Sequence, residues 1–188
     1  MSSFQRTSIA IILSLLVCVS CSNIDESKSE KMTVMAASSL TNIFTEIAEQ
    51  FETANPEADV KVIFAGSGSL REQVLDGANF DVIATANQEV MDALIEAREV
   101  TDSQVFARNV LALVSPIDQQ PPITNIEQLR ETNLLIGVCM ETVPCGVLTF
   151  DYLASARLIP NIVTKEQNVR SLLAKVLENE LDAAFVYA

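Results

Sequence analysis

Short apolar runs alternate, from residue 31 onward, with longer segments in which apolar residues recur every three or four positions. The first run, MTVMAA at residues 32–37, has the length of a buried strand, and the apolar positions from Leu40 to Phe51 then follow helical spacing. The same change of period recurs toward the end of the chain. Strands that alternate with helices in this way are typical of an α/β fold with mainly parallel sheets.

The same two periods predict the remaining elements. Further strands are expected at residues 60–64, 81–84, 110–114, 134–138 and 182–187, and further helices around Leu70 and Val74, after Asn87 as an N-cap, and at residues 146–156 and 168–178. The continuous apolar run VLALV predicts that the strand at residues 110–114 is covered on both faces. Residues 115–125, which contain the dipeptides SP and PP, are expected to form a loop.

Residues 1–30 are expected to lie outside the fold. The apolar run at residues 9–20 is shorter than the ~20 residues that a membrane-spanning helix needs, and it follows a start with a single cation. This layout predicts a secretory signal at residues 1–20 and a tether at residues 21–30. Cys21 stands where a bacterial lipoprotein would be acylated, although Cys18 replaces the usual Leu. Simple cleavage and a buried N-terminal helix are the alternatives.

Composition and charge exclude several classes of function. The chain has 188 residues, 25 acidic and 12 basic, no histidine, and a formal net charge of −13. Because it offers no positive field, nucleic acid and an anionic membrane surface are excluded as partners, and membrane attachment could come only through a lipid at Cys21. Without an imidazole, a Ser-His-Asp or Cys-His catalytic centre and a His-ligated zinc site are excluded as well.

Two predicted helices begin without a carboxylate. The helix after Ser38 and Ser39 has no acid before Glu46, and the helix after Cys145 has none before Asp151. The free N–H groups of a helix start form an anion site, and in open α/β sheets such turns lie where ligands bind. A simple N-cap role for either serine is the alternative. The nearby GSGSL segment lacks the GK[ST] ending of a nucleotide-binding loop.

Five segments, in their order along the chain, resemble the periplasmic molybdate-binding proteins of ABC importers. They cover residues 32–187 and read AASSLTNIFTEIAEQFE, FAGSGSL, GANFDVIATANQEVMDAL, TVPCG and NVRSLLAKVLENELDAAFVY. The resemblance implies a two-lobed periplasmic-binding-protein fold, similar to type II, that captures molybdate or tungstate between its lobes and delivers it to a permease. It implies an exported protein at the periplasm or cell surface, with no enzymatic activity and no cofactor. We expect a monomer.

The resemblance also implies a set of neutral hydrogen-bond donors for the oxyanion. By position, Ser39 and Ser67 would supply hydroxyl and backbone N–H groups from the first lobe. Cys145 and Val169 would supply backbone N–H groups from the second lobe, and Tyr187 its phenol. The metal of the ligand would be held through these same residues. Sulfate or another small tetrahedral oxyanion is the alternative ligand.

The end of the chain departs from the family pattern. Family members continue for several dozen residues after the last ligand position and return to complete the first lobe, whereas this sequence stops at Ala188. We therefore expect the C-terminal return to be missing and the sequence to be a fragment. On that interpretation the first lobe comprises residues 31–109 and the second residues 110–188.

The cysteines of the VCMETVPCG segment are a second departure. Cys145 stands where the family commonly has Ala, and Cys139 lies six positions earlier. Two such thiols in an exported protein predict a disulfide between Cys139 and Cys145. A metal site is the alternative, but two cysteines without histidine make a poor one.

A serine hydrolase and a lipid-anchored protein without a small-molecule ligand are the alternatives to an anion-binding protein. A serine hydrolase using Ser39 or Ser67 would need a base, and the sequence has no histidine and no evident lysine beside either serine. A lipid-anchored protein without a small-molecule ligand would be indifferent to replacement of both serines by alanine.

Overall fold

The computed structural model describes residues 30–131 and 133–188. The expected signal segment and Cys21 lie outside these residues, as does the expected tether except for Glu30. In the described part of the chain, strands and helical elements alternate, and the helical elements include 3₁₀ turns at Ser38–Leu40 and Ile126–Arg130. No helix within it is long and apolar enough to cross a membrane.

The first sheet is parallel throughout and has β1 at its centre. Its strands are β1 (Glu30–Ala37), β2 (Ala58–Ala65) and β3 (Val82–Ala84), in the order β2-β1-β3. The helices that follow them are α1 (Thr41–Ala54), α2 (Ser67–Leu75) and α3 (Gln88–Glu96). Met35 of β1 is fully buried, because it packs in one cluster with Leu70 of α2 and Leu94 of α3.

The second sheet is mixed and has the strand order β4-β7-β5-β6. Alternate residues of its two central strands enter separate apolar clusters: Val138 and Phe185 pack with α4, whereas Ala184 and Val186 pack with α5. Both central strands are therefore covered on both faces, as expected of continuous apolar runs. The elements are β4 (Leu111–Val114), β5 (Ile136–Cys139), α4 (Pro144–Ser155), β6 (Ile162–Glu166), α5 (Val169–Leu177) and β7 (Ala183–Tyr187).

The structure corrects two predictions about strands. The strand expected at residues 110–114 is β4, which lies at the sheet edge and pairs antiparallel with β7. Its side chains reach the apolar clusters on both faces, Leu111 and Leu113 on one and Val114 on the other, but they are only half-buried. Val110 precedes the strand and is 67% exposed. β6 is not among the strands predicted from the sequence, because Thr164, Lys165 and Glu166 carry polar side chains and the strand has no apolar run.

One helix start also differs from the prediction, and the predicted N-cap residue of another helix lacks a capping hydrogen bond. α4 begins at Pro144 rather than at residue 146, because the fixed φ of proline suits the first helical position. Asn87 does precede α3, but its side chain makes no capping hydrogen bond. Its Nδ2 donates instead to Glu89 Oε2 at 2.6 Å, and its Oδ1 is buried without a partner among the described residues.

Candidate functional site

One small cavity lies where the carboxyl ends of strands from both sheets meet the starts of four helices. It measures about 20 Å³, and admitting even one water molecule takes roughly 10–15 Å³. The small cavity itself therefore has room for one compact group. The structure brings together at this cavity all five residues that the sequence resemblance assigns to the ligand: Ser39, Ser67, Cys145, Val169 and Tyr187.

The four helix starts at the cavity lack acidic side chains. Neither the 3₁₀ turn that leads into α1 nor α1, α2, α4 or α5 has an acid in its first turn, whereas α3 has Glu89 and the other 3₁₀ turn has Glu127. Among the described residues, no side chain caps the Ser38–Leu40 turn, α1, α2 or α4. The simple N-cap role considered for Ser38 or Ser39 is therefore not what the structure shows.

No side chain with a formal charge lines this cavity in the part of the chain that the structure describes. Its electrostatic character comes instead from the partial positive charge of the helix starts and their free N–H groups. Hydroxyl groups and backbone amides are neutral donors, so the cavity can stabilise an anion without a lysine or arginine in contact.

Ser67 is held in an orientation that suits donation. The residue is 2% exposed, and its Oγ accepts a hydrogen bond from the backbone N–H of Ala86 at 2.9 Å. Because the oxygen is already used as an acceptor, the hydroxyl proton is available for a ligand. The contribution of Ala86 could not be predicted from the sequence, because it comes from a backbone amide 19 positions away.

Gly66, the residue before α2, lies against the start of α5 on the other side of the cavity. A Cβ atom at Gly66 would come within 2.6 Å of the backbone oxygen of Gln167, which no real Cβ tolerates. Its φ of −64° is accessible to any residue. The glycine is therefore required by the close approach of the two segments and not by its backbone conformation.

A buried disulfide joins Cys139 to Cys145, the pair named from the sequence. It ties the end of β5 to the first turn of α4. The same turn is fixed by Thr149, whose Oγ1 donates to the Cys145 carbonyl at 2.7 Å, and by Gly146, where a Cβ would lie 1.7 Å from the Met140 oxygen. These contacts position the backbone N–H of Cys145 at the cavity.

The start of α5 is capped in a way that leaves its first amides free. Asn168 Oδ1 accepts a hydrogen bond from the N–H of Ser171 at 3.0 Å. The N–H of Val169, at the first helical position, is not used by that cap. An Asn that precedes a helix is a recognisable sequence signal, so the cap at the start of α5 could have been predicted from Asn168.

Tyr187 places a phenol at the cavity from the end of β7. Its Oη is buried and has no hydrogen-bond partner among the described residues. Burial raises the pKa of Tyr187 to about 12. The phenol is therefore neutral at physiological pH and can donate a hydrogen bond to a ligand.

A larger cleft of about 960 Å³ adjoins the small cavity and shares Ser39, Ala86 and Tyr187 with it. Its remaining walls come mainly from residues 78–88 and 99–109, and they include the exposed apolar side chains Val105 and Phe106. Since the helix starts meet at the small cavity, we place the candidate site there.

The family model of the bacterial extracellular solute-binding proteins matches residues 32–188. The chain belongs to this family. Among curated proteins, the molybdate-binding protein ModA of Mycobacterium tuberculosis is 34% identical over 160 residues, which are 85% of this chain and 61% of that protein. The chain thus spans about three-fifths of the length of that relative, and the resemblance to molybdate-binding proteins is confirmed.

Solved structures confirm the predicted α/β periplasmic-binding-protein fold of this solute-binding protein. The substrate-binding domain of a molybdenum ABC transporter from Clostridium difficile matches with a TM-score of 0.58 and 25% identity, over 84% of this chain and 71% of that one. The periplasmic molybdate-binding protein of Azotobacter vinelandii has a TM-score of 0.61 and 20% identity, over 83% of this chain and 71% of that one.

Removal of the disulfide should destabilise this solute-binding protein moderately. For so short a loop the chain-entropy estimate is about 2 kcal/mol. Urea unfolding of the oxidised protein, with and without a dithiol reductant, measures the difference. The Cys139→Ala/Cys145→Ala variant is the matched control and should show no further loss with reductant. Equal unfolding free energies for oxidised and reduced protein would contradict the assignment.

The ionisation of Tyr187 should be visible in an alkaline titration. Its pKa of about 12 in the folded state exceeds the usual value of roughly 10, so the folded state holds the proton longer. Stability should therefore fall as pH rises between these two values, where the unfolded chain ionises first. Phenolate absorbance should show a late step that Tyr187→Phe removes and Tyr152→Phe keeps. A late step that survives Tyr187→Phe would refute this.

Proposed function

We propose that the protein captures a tetrahedral oxyanion, molybdate or tungstate, and delivers it to the permease of an ABC importer. The observation that carries the proposal is the convergence of four acid-free helix starts on a cavity without a charged lining residue in the described chain. The relatives and solved structures named for molybdate support this choice of ligand.

In this proposal residues 31–109 form one lobe, residues 110–188 form the other, and the ligand lies between them. The first lobe contributes Ser39 and Ser67, and the second contributes the amides of Cys145 and Val169 with the phenol of Tyr187. The two sheets, each with its own helices, support that division.

The number of donors is sufficient for tight binding. A hydrogen bond to a charged group contributes roughly 1.5–3 kcal/mol, and about five to seven of them, after the costs of association, reach the ~8–12 kcal/mol of micromolar to nanomolar affinity. Donors also select against protonated anions. The O–H of hydrogen phosphate would find no acceptor among the assigned groups, which disfavours that ion.

Binding without catalysis is the better interpretation of the two serines. Ser67 Oγ accepts from the Ala86 amide, and no lysine, aspartate or glutamate of the described chain lines the cavity to serve as a base. The absence of histidine from the sequence agrees with this. We further propose that the protein is exported, acts as a monomer, and is held at the membrane surface through a lipid on Cys21.

Replacement of the ligand serines should weaken anion binding. Ser39→Ala and Ser67→Ala each remove one donor to a charged ligand, so each should reduce affinity for molybdate by about 1.5–3 kcal/mol, or roughly 10- to 150-fold. Calorimetric titration with molybdate, tungstate and sulfate measures the effect. Ser155→Ala is the control, because that exposed hydroxyl bonds to the Tyr152 carbonyl within α4. Absence of binding to molybdate and tungstate, or unchanged affinity in both serine variants, would contradict the proposal.

A methyl group at Gly66 should hold the two lobes apart. Gly66→Ala would bring Cβ within 2.6 Å of the Gln167 oxygen, whereas Gly68→Ala meets its nearest atom, Val143 Cγ1, at 3.8 Å. Because overpacking costs about 1–3 kcal/mol, we expect Gly66→Ala to weaken molybdate binding by that amount and Gly68→Ala to leave it nearly unchanged. Both variants should unfold with similar free energies when no ligand is present. Equal affinities of the two variants would refute this use of Gly66.

A further inference from the structure

One side-chain hydrogen bond joins the helices that flank the cavity from opposite sides. Arg170 Nη1, in the first turn of α5, donates to Asn42 Oδ1, in the first turn of α1, at 3.1 Å. The two residues are 128 positions apart in the chain, and their helices accompany different sheets. The bond therefore spans the proposed boundary between the lobes, beside the cavity but outside its lining.

The position of Arg170 is not explained by the stability of its own helix. Arg170 is the one charged residue among the first four positions of α1, α2, α4 and α5. A cation in the first turn of a helix opposes the helix dipole and costs roughly 0.3–1 kcal/mol. Some interaction outside α5 must offset that cost, and the bond to Asn42 is the interaction that the structure shows.

A second close contact across the cavity has a different character. Gly66 lies against the Gln167 backbone through packing alone, so it permits closure without holding the lobes together. The guanidinium of Arg170 forms a directional bond whose donor is charged, and such bonds are stronger than neutral ones. Both partners are exposed, so the bond can break and re-form in water.

We propose that Asn42 and Arg170 form a latch that holds the two lobes closed and slows release of the bound anion. The effect on release of the anion rests on the proposed function. The effect on closure of the lobes does not depend on it. Both residues act as positioning residues, since neither lines the cavity.

A double-mutant cycle tests the latch through the rate of ligand dissociation. Asn42→Ala and Arg170→Ala should each speed release of molybdate by about three- to ten-fold, the effect of one hydrogen bond of intermediate strength. The double variant should be no faster than the faster single variant, because both changes remove the same bond. Association should change much less, and Arg170→Lys should retain part of the effect. Arg71→Ala is the control, since that arginine pairs with Glu72 in its own helix.

Two outcomes separate the latch from simpler roles of Arg170. If Arg170→Ala speeds release and Asn42→Ala does not, Arg170 acts on the anion by its charge, and the latch is overturned. Added salt would then remove most of the Arg170→Ala effect. If neither variant changes the dissociation rate, the latch is likewise overturned.

If the unsubstituted chain binds no molybdate, small-angle scattering of the ligand-free protein tests whether the latch closes the lobes. That result would remove the proposed function and leave closure to be tested alone. The latch then predicts a larger radius of gyration for both Asn42→Ala and Arg170→Ala than for the unsubstituted protein and Arg71→Ala. Equal radii in all four proteins would overturn it.

Discussion

The convergence of free helix N-termini on one cavity is the constraint on which the rest of the structure depends. Partial positive charges that face one another repel, so an arrangement of this kind is unfavourable unless something negative lies between them. Two sheets, a buried disulfide and a glycine at closest approach all serve to hold these starts in place. The cavity is therefore a site whose chemistry comes mainly from the backbone.

Backbone chemistry of this kind explains how a strongly acidic chain could bind a dianion. The chain has a formal net charge of −13, so its long-range field repels the ligand. In the proposed site, the Ser67 hydroxyl and the Cys145 amide would act at short range, over hydrogen-bond distances. The phenol of Tyr187 fits the same plan, because it is neutral at physiological pH and can donate a hydrogen bond.

Much of the fold could be predicted because the period of the apolar residues changes between strand and helix. The prediction failed where that period carries no information. β6 ends in Thr164, Lys165 and Glu166 and has no apolar run, and β4 has the run of a central strand while it lies at the edge. Whether a strand lies at the edge or the centre of its sheet depends on the strand order, and that order depends on contacts between distant parts of the chain.

The sequence names residues that line the candidate site, but not the backbone groups that hold them in position. Motifs in the sequence named Ser39, Ser67 and Tyr187, whereas the amide of Ala86 and the carbonyl of Gln167 are backbone groups without a sequence mark. The bond between Asn42 and Arg170 is likewise invisible until the fold brings two distant helices together. Sequence motifs indicate which residues are candidate donors. Only the tertiary structure shows which groups orient those donors.

Calorimetric titration with molybdate at low and at high ionic strength tests the central claim most directly. Recognition by local dipoles in a chain of net negative charge predicts binding in both conditions, with affinity equal or higher at high salt, because salt screens the long-range repulsion. Affinity that falls steeply as salt rises, as expected for an anion paired with lysine or arginine, would contradict the account, and so would the absence of binding.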